Sequence, residues 1–179
     1  GCSTSILLWH TLIISLTIEL TMNRVPLSML IKRCQLLKQD LPNSVFLDGD
    51  WCWDASPFQV TDETKAMVMN NICYLLNNFL KCSAYDNIIF CWVMHEQSII
   101  DFILKNLDAQ NCDVKCVSLV ADEKTLCERL SMDVERGIRS EDVIERSIAR
   151  IPMYQALGTI KIDTKGKAVA VIANEIKRL

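Results

Sequence analysis

Residues 47 to 54 read LDGDWCWD, placing Asp48 and Asp50 on either side of Gly49, with Trp51 and Trp53 directly after them. Two carboxylates this close, at the end of the apolar run Val45-Phe46-Leu47, stand either in a ligand site or in a turn. They lie at the carboxyl end of a short predicted strand, where open α/β sheets bind ligands. The competing reading is a tight turn with Gly49 at positive φ. An aromatic pair stacks on a ring or sugar face, although Trp51 and Trp53 are equally suited to capping the core.

A second group of side chains with chemical potential is cationic. The stretch ERLSMDVERGIRSEDVIERSIARIPMY, residues 128 to 154, carries Arg129, Arg136, Arg139, Arg146 and Arg150. Arg146 and Arg150 are four apart and share one helical face. Gly137 interrupts two predicted helices, as a mobile hairpin would require. Guanidinium groups converging from hinged helices neutralise a transferring phosphoryl group and exclude water on closing. Taken alone, such a helix also reads as a solvated face with i,i+4 ion pairs. His95-Glu96 follows another predicted strand and opens on the same sheet edge as the tryptophans, where His95 serves either recognition or a structural hydrogen bond.

The elements that must position these groups alternate along the chain. Leu27, Leu30, Ile31, Cys34 and Leu37 give residues 27–40 one apolar helical side, and Pro42-Asn43 ends it. After the strand at 45–47, Thr61-Asp62-Glu63 supplies a cap and an acidic first turn for a helix to about Lys81, with Val68, Ile72, Leu76 and Phe79 inward. Continuous apolar runs at 88–94 and 114–120 predict strands covered on both faces. A helix over about 96–107 separates them. Another helix starts at Asp122-Glu123, a strand is expected over 159–162, and a last helix carries Val169, Ile172 and Ile176. Strands joined by helical crossovers imply a three-layer α/β/α fold with a mainly parallel sheet of four to five strands.

A chain of 179 residues, half of them apolar, is long enough for one substantial core and excludes a disordered polymer. The net charge of −3 argues against a nucleic-acid surface and leaves a small-molecule ligand or a protein as the expected partner. Nine cysteines, mostly inside apolar runs, read as buried thiols of a reducing cytoplasm. None forms a CxxC pair, so no metal site is assigned.

Residues 6–22, ILLWHTLIISLTIELTM, are strongly apolar but short for a membrane span, contain His10 and Glu19, and lack a basic flank. A buried strand, or translated sequence upstream of a start at Met22, fits better than an anchor. The expected division is therefore an apolar segment at 1–21 and a single domain over 22–179.

The order LDGD, ERL, GIR, IERSIARIPMY and TIKID resembles the P-loop small-molecule kinases, the group of nucleoside monophosphate, shikimate, gluconate and adenylylsulfate kinases and chloramphenicol phosphotransferase. The resemblance covers about residues 22–179. It implies a P-loop NTPase-like fold with a helical lid at about 131–146, and ATP and Mg²⁺ as cofactors. It also implies that Asp50, with Asp48, sits beside the acceptor as a base or magnesium-shell partner. By the same likeness Arg129 packs near the nucleotide base, Arg136 and Arg139 lie in the lid, and Arg146 or Arg150 returns toward the phosphates. Thr164 and Lys165 fall in the adenine-contacting loop, while Trp51, Trp53, His95 and Glu96 are the acceptor-recognition candidates.

One departure qualifies the resemblance. The phosphate loop G-x-x-x-x-G-K-[ST] should stand where the chain reads MNRVPLS, residues 22–28, and no glycine occurs between Gly1 and Gly49. Ser28 stands for the terminal hydroxyl, but no Gly-Lys precedes it. Without glycine the backbone cannot form the anion nest that holds phosphates. The polypeptide is therefore expected to be a weak or inactive kinase, through a mis-framed amino terminus or as a non-catalytic pseudokinase that binds ligand or regulates.

Overall fold

A computed structural model describes the backbone of residues 10–17, 28–137, 140 and 142–179, and within that set the side chains from residue 34 onward. Five parallel strands form one sheet: β1 (His10–Thr17), β2 (Ser44–Asp48), β3 (Asn87–Trp92), β4 (Cys112–Val120) and β5 (Ile160–Asp163). Their spatial order is β2-β3-β1-β4-β5. β1 lies within the apolar N-terminal segment and occupies the centre, with Thr11 level with Asn87 on one side and His10 level with Cys112 on the other.

The crossovers are helices α1 (Ser28–Asp40), α2 (Asp62–Lys81), α3 (Gln97–Lys105), α4 (Glu123–Glu135), α5 (Asp142–Ala156) and α6 (Val169–Lys177). Each arises where the residue pattern demands it. Thr61 caps α2 by accepting from the Thr64 amide at 3.1 Å, and the Thr64 hydroxyl accepts from the Thr61 amide at 2.9 Å. This reciprocal box fixes the helix start. Asp122 caps α4 in the same sense, accepting from the Thr125 amide at 2.7 Å.

The apolar run of β3 shows why a two-faced strand needs no alternation. Ile88 and Phe90 turn toward a core built with Val68, Ile72 and Leu76 of α2, Ile100 and Ile103 of α3, Leu126 and Leu130 of α4 and Tyr154 of α5. Ile89 and Cys91 turn the other way, onto Cys34 and Leu37 of α1 and Ile172, Ala173 and Ile176 of α6. Both faces are covered over Ile88 to Cys91, so each of those positions is apolar. Phe79, expected inward on α2, is only partly buried beside the first core.

α4 ends at Arg136-Gly137, and Gly137 has φ +65°, with nothing within 4 Å of the position a Cβ would take. Glycine is required there by its backbone angle. Among the described residues no helix is long and apolar enough to cross a membrane. Of the described cysteines, Cys34, Cys52, Cys73 and Cys91 are buried, Cys82, Cys112, Cys116 and Cys127 are partly so, and all eight are free thiols.

Candidate functional site

The carboxyl ends of β2 and β3 meet at the Asp48-Gly49-Asp50 turn, which continues as one 3-10 turn over Gly49–Cys52. Asp48 pairs in register with Cys91, which brings Gly49 level with Trp92. Gly49 is not in the left-handed region, correcting the tight-turn expectation. Its missing side chain makes room instead, because a Cβ there would lie 2.3 Å from Trp92 Cγ. The Trp92 side chain can therefore pass close to Gly49 and donate its Nε1–H to Asp50 Oδ1 at 3.1 Å.

The two carboxylates have distinct environments. Asp48 is 2% exposed; its Oδ1 accepts the Asp50 amide at 3.0 Å, and its Oδ2 has no hydrogen-bond partner among the described residues. Burial pushes its pKa up to about 6, with the Asp50 charge adding to the rise and the amide bond opposing it. Asp50 is half-buried and also raised by burial, while the Trp92 bond pulls it back. Burial and both aspartate charges push the Cys52 thiol up as well.

Asp50 opens into a cavity of about 440 Å³. Trp53 and Phe58 form one wall, with ring centroids 4.8 Å apart and planes inclined at 40°. Val68 and Met69 of α2 and Ile99 of α3 add apolar surface, His95 and Glu96 come from the β3–α3 loop, and Arg146 and Arg150 reach in from α5. The carboxylate and the α5 guanidinium groups thus share one cavity. Arg146 is engaged with its own helix, 2.9 Å from Asp142 Oδ2. His95 is 3.5 Å from Glu96 through Nε2, while its buried Nδ1 has no partner among the described residues. Burial first, then the Arg150 charge, lowers the His95 pKa, against the pull of Glu96. Its imidazole is therefore neutral near pH 7.

Across the same carboxyl end, at the β4–β5 edge of the sheet, Arg129 donates from both terminal nitrogens to Thr164, reaching Oγ1 and the carbonyl at 3.1 Å each. Thr164 is buried and tied back to the Val120 carbonyl through its amide and its hydroxyl. Lys165 pairs with Asp122 at 2.5 Å, which holds the Asp122 carboxyl well below the usual range and raises the lysine. Arg129, Thr164 and Lys165 are thus brought together in one loop cluster, joining the β4–α4 and β5–α6 connections.

Other expected positions fall elsewhere. Trp51 does not line the cavity; it is 59% exposed and packs edge-on against Phe46, with centroids 5.4 Å apart. Arg136 is exposed at the end of α4 and is likewise absent from the cavity lining. Arg139 lies outside the described residues. Ser28 begins α1, and its side chain is outside them too.

Sequence reasoning passed over Trp92, Phe58, Lys65 and Met69. Trp92 closes the β3 run IIFCW, and the only signal for it was its matching distance from the strand end to that of the DGD turn.

A sequence model of the family described as AAA domain matches residues 27–148. No curated protein matches the chain in sequence. Among solved structures, the tunicamycin resistance protein of Deinococcus radiodurans superposes with a TM-score of 0.64 at 15% identity, over 94% of each chain. A gluconokinase from Sinorhizobium meliloti 1021 gives 0.61 at 15% identity, over 93% of this chain and 89% of that one. Thymidylate kinase from Candida albicans gives 0.55 at 12%, over 94% and 90%. At these identities the likeness is one of fold.

Proposed function

The chain belongs to the AAA-domain family of P-loop NTPases and has a small-molecule kinase scaffold, and on that premise we propose that it is a phosphotransferase framework whose acceptor side is intact and whose nucleotide side is deficient. The observation that carries this reading is the single cavity holding Asp50 together with Arg146 and Arg150.

In that reading Asp50 Oδ2, the oxygen not occupied by Trp92, accepts the proton of the acceptor hydroxyl. Its raised pKa brings the base closer to working pH, where proton transfer is most effective. Arg150, and Arg146 when released from Asp142, would offset charge on the transferred phosphoryl group. His95 and Glu96 contact the acceptor from the β3–α3 loop, and Trp53 stacks against it.

The implied cofactors fit unequally. Asp48 Oδ2, buried and unpartnered among the described residues, suits a cation's hydration shell, in keeping with Mg²⁺ binding through few carboxylates. Arg129, Thr164 and Lys165 suit the base side of a nucleotide. For the phosphates, however, the segment between β1 and α1 has no glycine, and no step is assigned through a bound triphosphate. Bound MgATP would supply the phosphoryl group. We therefore read this polypeptide as a weak or inactive kinase of the cytoplasm with a degenerate Walker A segment.

Calorimetry with ATP and Mg²⁺ tests this on the chain as it stands, beside a variant carrying an intact phosphate loop over residues 18–28. Binding by the repaired chain alone supports the reading. Binding by the unrepaired chain overturns the loss of the nucleotide side. Binding by neither favours the second reading, a non-catalytic ligand-binding module, which the missing glycines motivate.

A further inference from the structure

Taking the cavity as the acceptor side of that kinase, the geometry points to an uncharged acceptor with a planar apolar body and one hydroxyl, in place of a sugar acid or a nucleotide. The reasoning starts from what each wall can bind. Trp53, Phe58, Val60, Val68, Met69 and Ile99 give most of the cavity an apolar surface, and Trp92 lines it beside Asp50. Burying a ring there replaces water at each of these walls, the dominant source of affinity for such a body.

Charge argues the same way. An anionic head group needs several unengaged cations converging on it. Lys65 lies 3.7 Å from Asp62, and Arg146 lies 2.9 Å from Asp142, each answering an acid of its own helix. Among the described residues Arg150 is the cavity cation with no ion pair, and it stands beside His95, whose pKa it depresses. A carboxylate or phosphate on the acceptor would compete with the transferred phosphoryl group for Arg150, and for Arg146 once released from Asp142. It would also face Asp50 and Glu96, both lining the cavity.

The remaining polar demand is small. Trp92 fixes Asp50 Oδ1 at 3.1 Å, leaving one carboxylate oxygen to receive one hydroxyl. Trp53 and Phe58, packed together with centroids 4.8 Å apart, give a flat ring one aromatic wall to lie against. At about 440 Å³ the cavity falls within the range of drug-sized ligand sites.

The test is equilibrium binding to the full chain, followed by the tryptophan fluorescence of Trp53 and Trp92, with no nucleotide present. The probes are 2-naphthylmethanol, a neutral planar alcohol, and two anions, D-gluconate and thymidine monophosphate. The alcohol is expected to saturate at least about tenfold more tightly than either anion. Phe58→Ala, at an exposed position, should weaken it by about tenfold without unfolding the chain. An anion binding as tightly as the alcohol, no saturable alcohol binding, or an unchanged Phe58→Ala affinity would each overturn the assignment. ATP binding by the loop-repaired chain is read separately. If the alcohol binds and that chain still takes no ATP, the kinase reading fails while the chemistry of the cavity stands.

Discussion

At the β2 and β3 end of the sheet, Asp48 and Asp50 are held against apolar walls, and burial raises both. At the β4 and β5 end, Asp122 and Lys165 pair in open solvent with side chains 42% and 61% exposed. The first arrangement keeps its carboxylates poised and costly, whereas the second stitches two loops together at little expense. Desolvation changes the acidity of a group, and a solvent-exposed pair mostly fixes a position. The difference teaches where this molecule has invested stability in chemistry.

The sharpest way to break that contrast is Gly49→Ala. The added methyl would meet the Trp92 ring at 2.3 Å, forcing the indole off the turn and away from Asp50. A loss of about 3 kcal/mol in urea unfolding is expected. If the midpoint does not move, the close packing of this end is wrong.

Asp48→Asn probes the desolvated charge itself. A carboxyl raised to about 6 when folded binds its proton more tightly than in the unfolded chain. Its stabilising contribution is therefore full below the unfolded value of 3.8 and is lost as pH rises through about 6, amounting to about 3 kcal/mol at most. Unfolding measured across this window should fall in the parent and stay flatter in the variant. Equal slopes would show that Asp48 is not desolvated.

Trp92→Phe removes one hydrogen bond and keeps most of the ring. The expected cost is about 1 kcal/mol, with the Asp50 titration moving further up because the donor that lowers it is gone. A carboxyl-resolved NMR titration would detect the shift, and a downward movement would contradict the assigned direction. At the other edge, Lys165→Ala should leave the unfolding midpoint at the parent's value, since its pair is largely open to solvent. A loss comparable to that of Gly49→Ala would erase the distinction between the two ends.

Much of the scaffold was legible because helix and strand patterns differ in period and β3 has an unbroken apolar run. The cap at Thr61, the crossovers and the three-layer class follow from local residue types. β1 was less legible, since a continuous apolar strand and a short apolar span share one pattern. The glycine of the DGD turn was legible as necessary, but its reason was not. A positive φ can be suspected from sequence, whereas an indole lying over a Cα depends on strand register. Register also hid Trp92. Trp51 and Trp53 diverge because the 3-10 turn rotates neighbouring side chains apart, so adjacency in sequence did not place both in the cavity.

β1 at the centre of the sheet has a consequence for how the chain acquires its shape. The pairs β2–β3 and β4–β5 can each assemble from neighbouring stretches, but they join only through β1, whose partners on β3 and β4 lie far along the chain. Closing those long loops makes assembly slow and leaves unpaired strand edges exposed in the meantime. β1 must therefore wait for strands from the middle of the polypeptide, and a sheet without it carries unpaired edges open to aggregation.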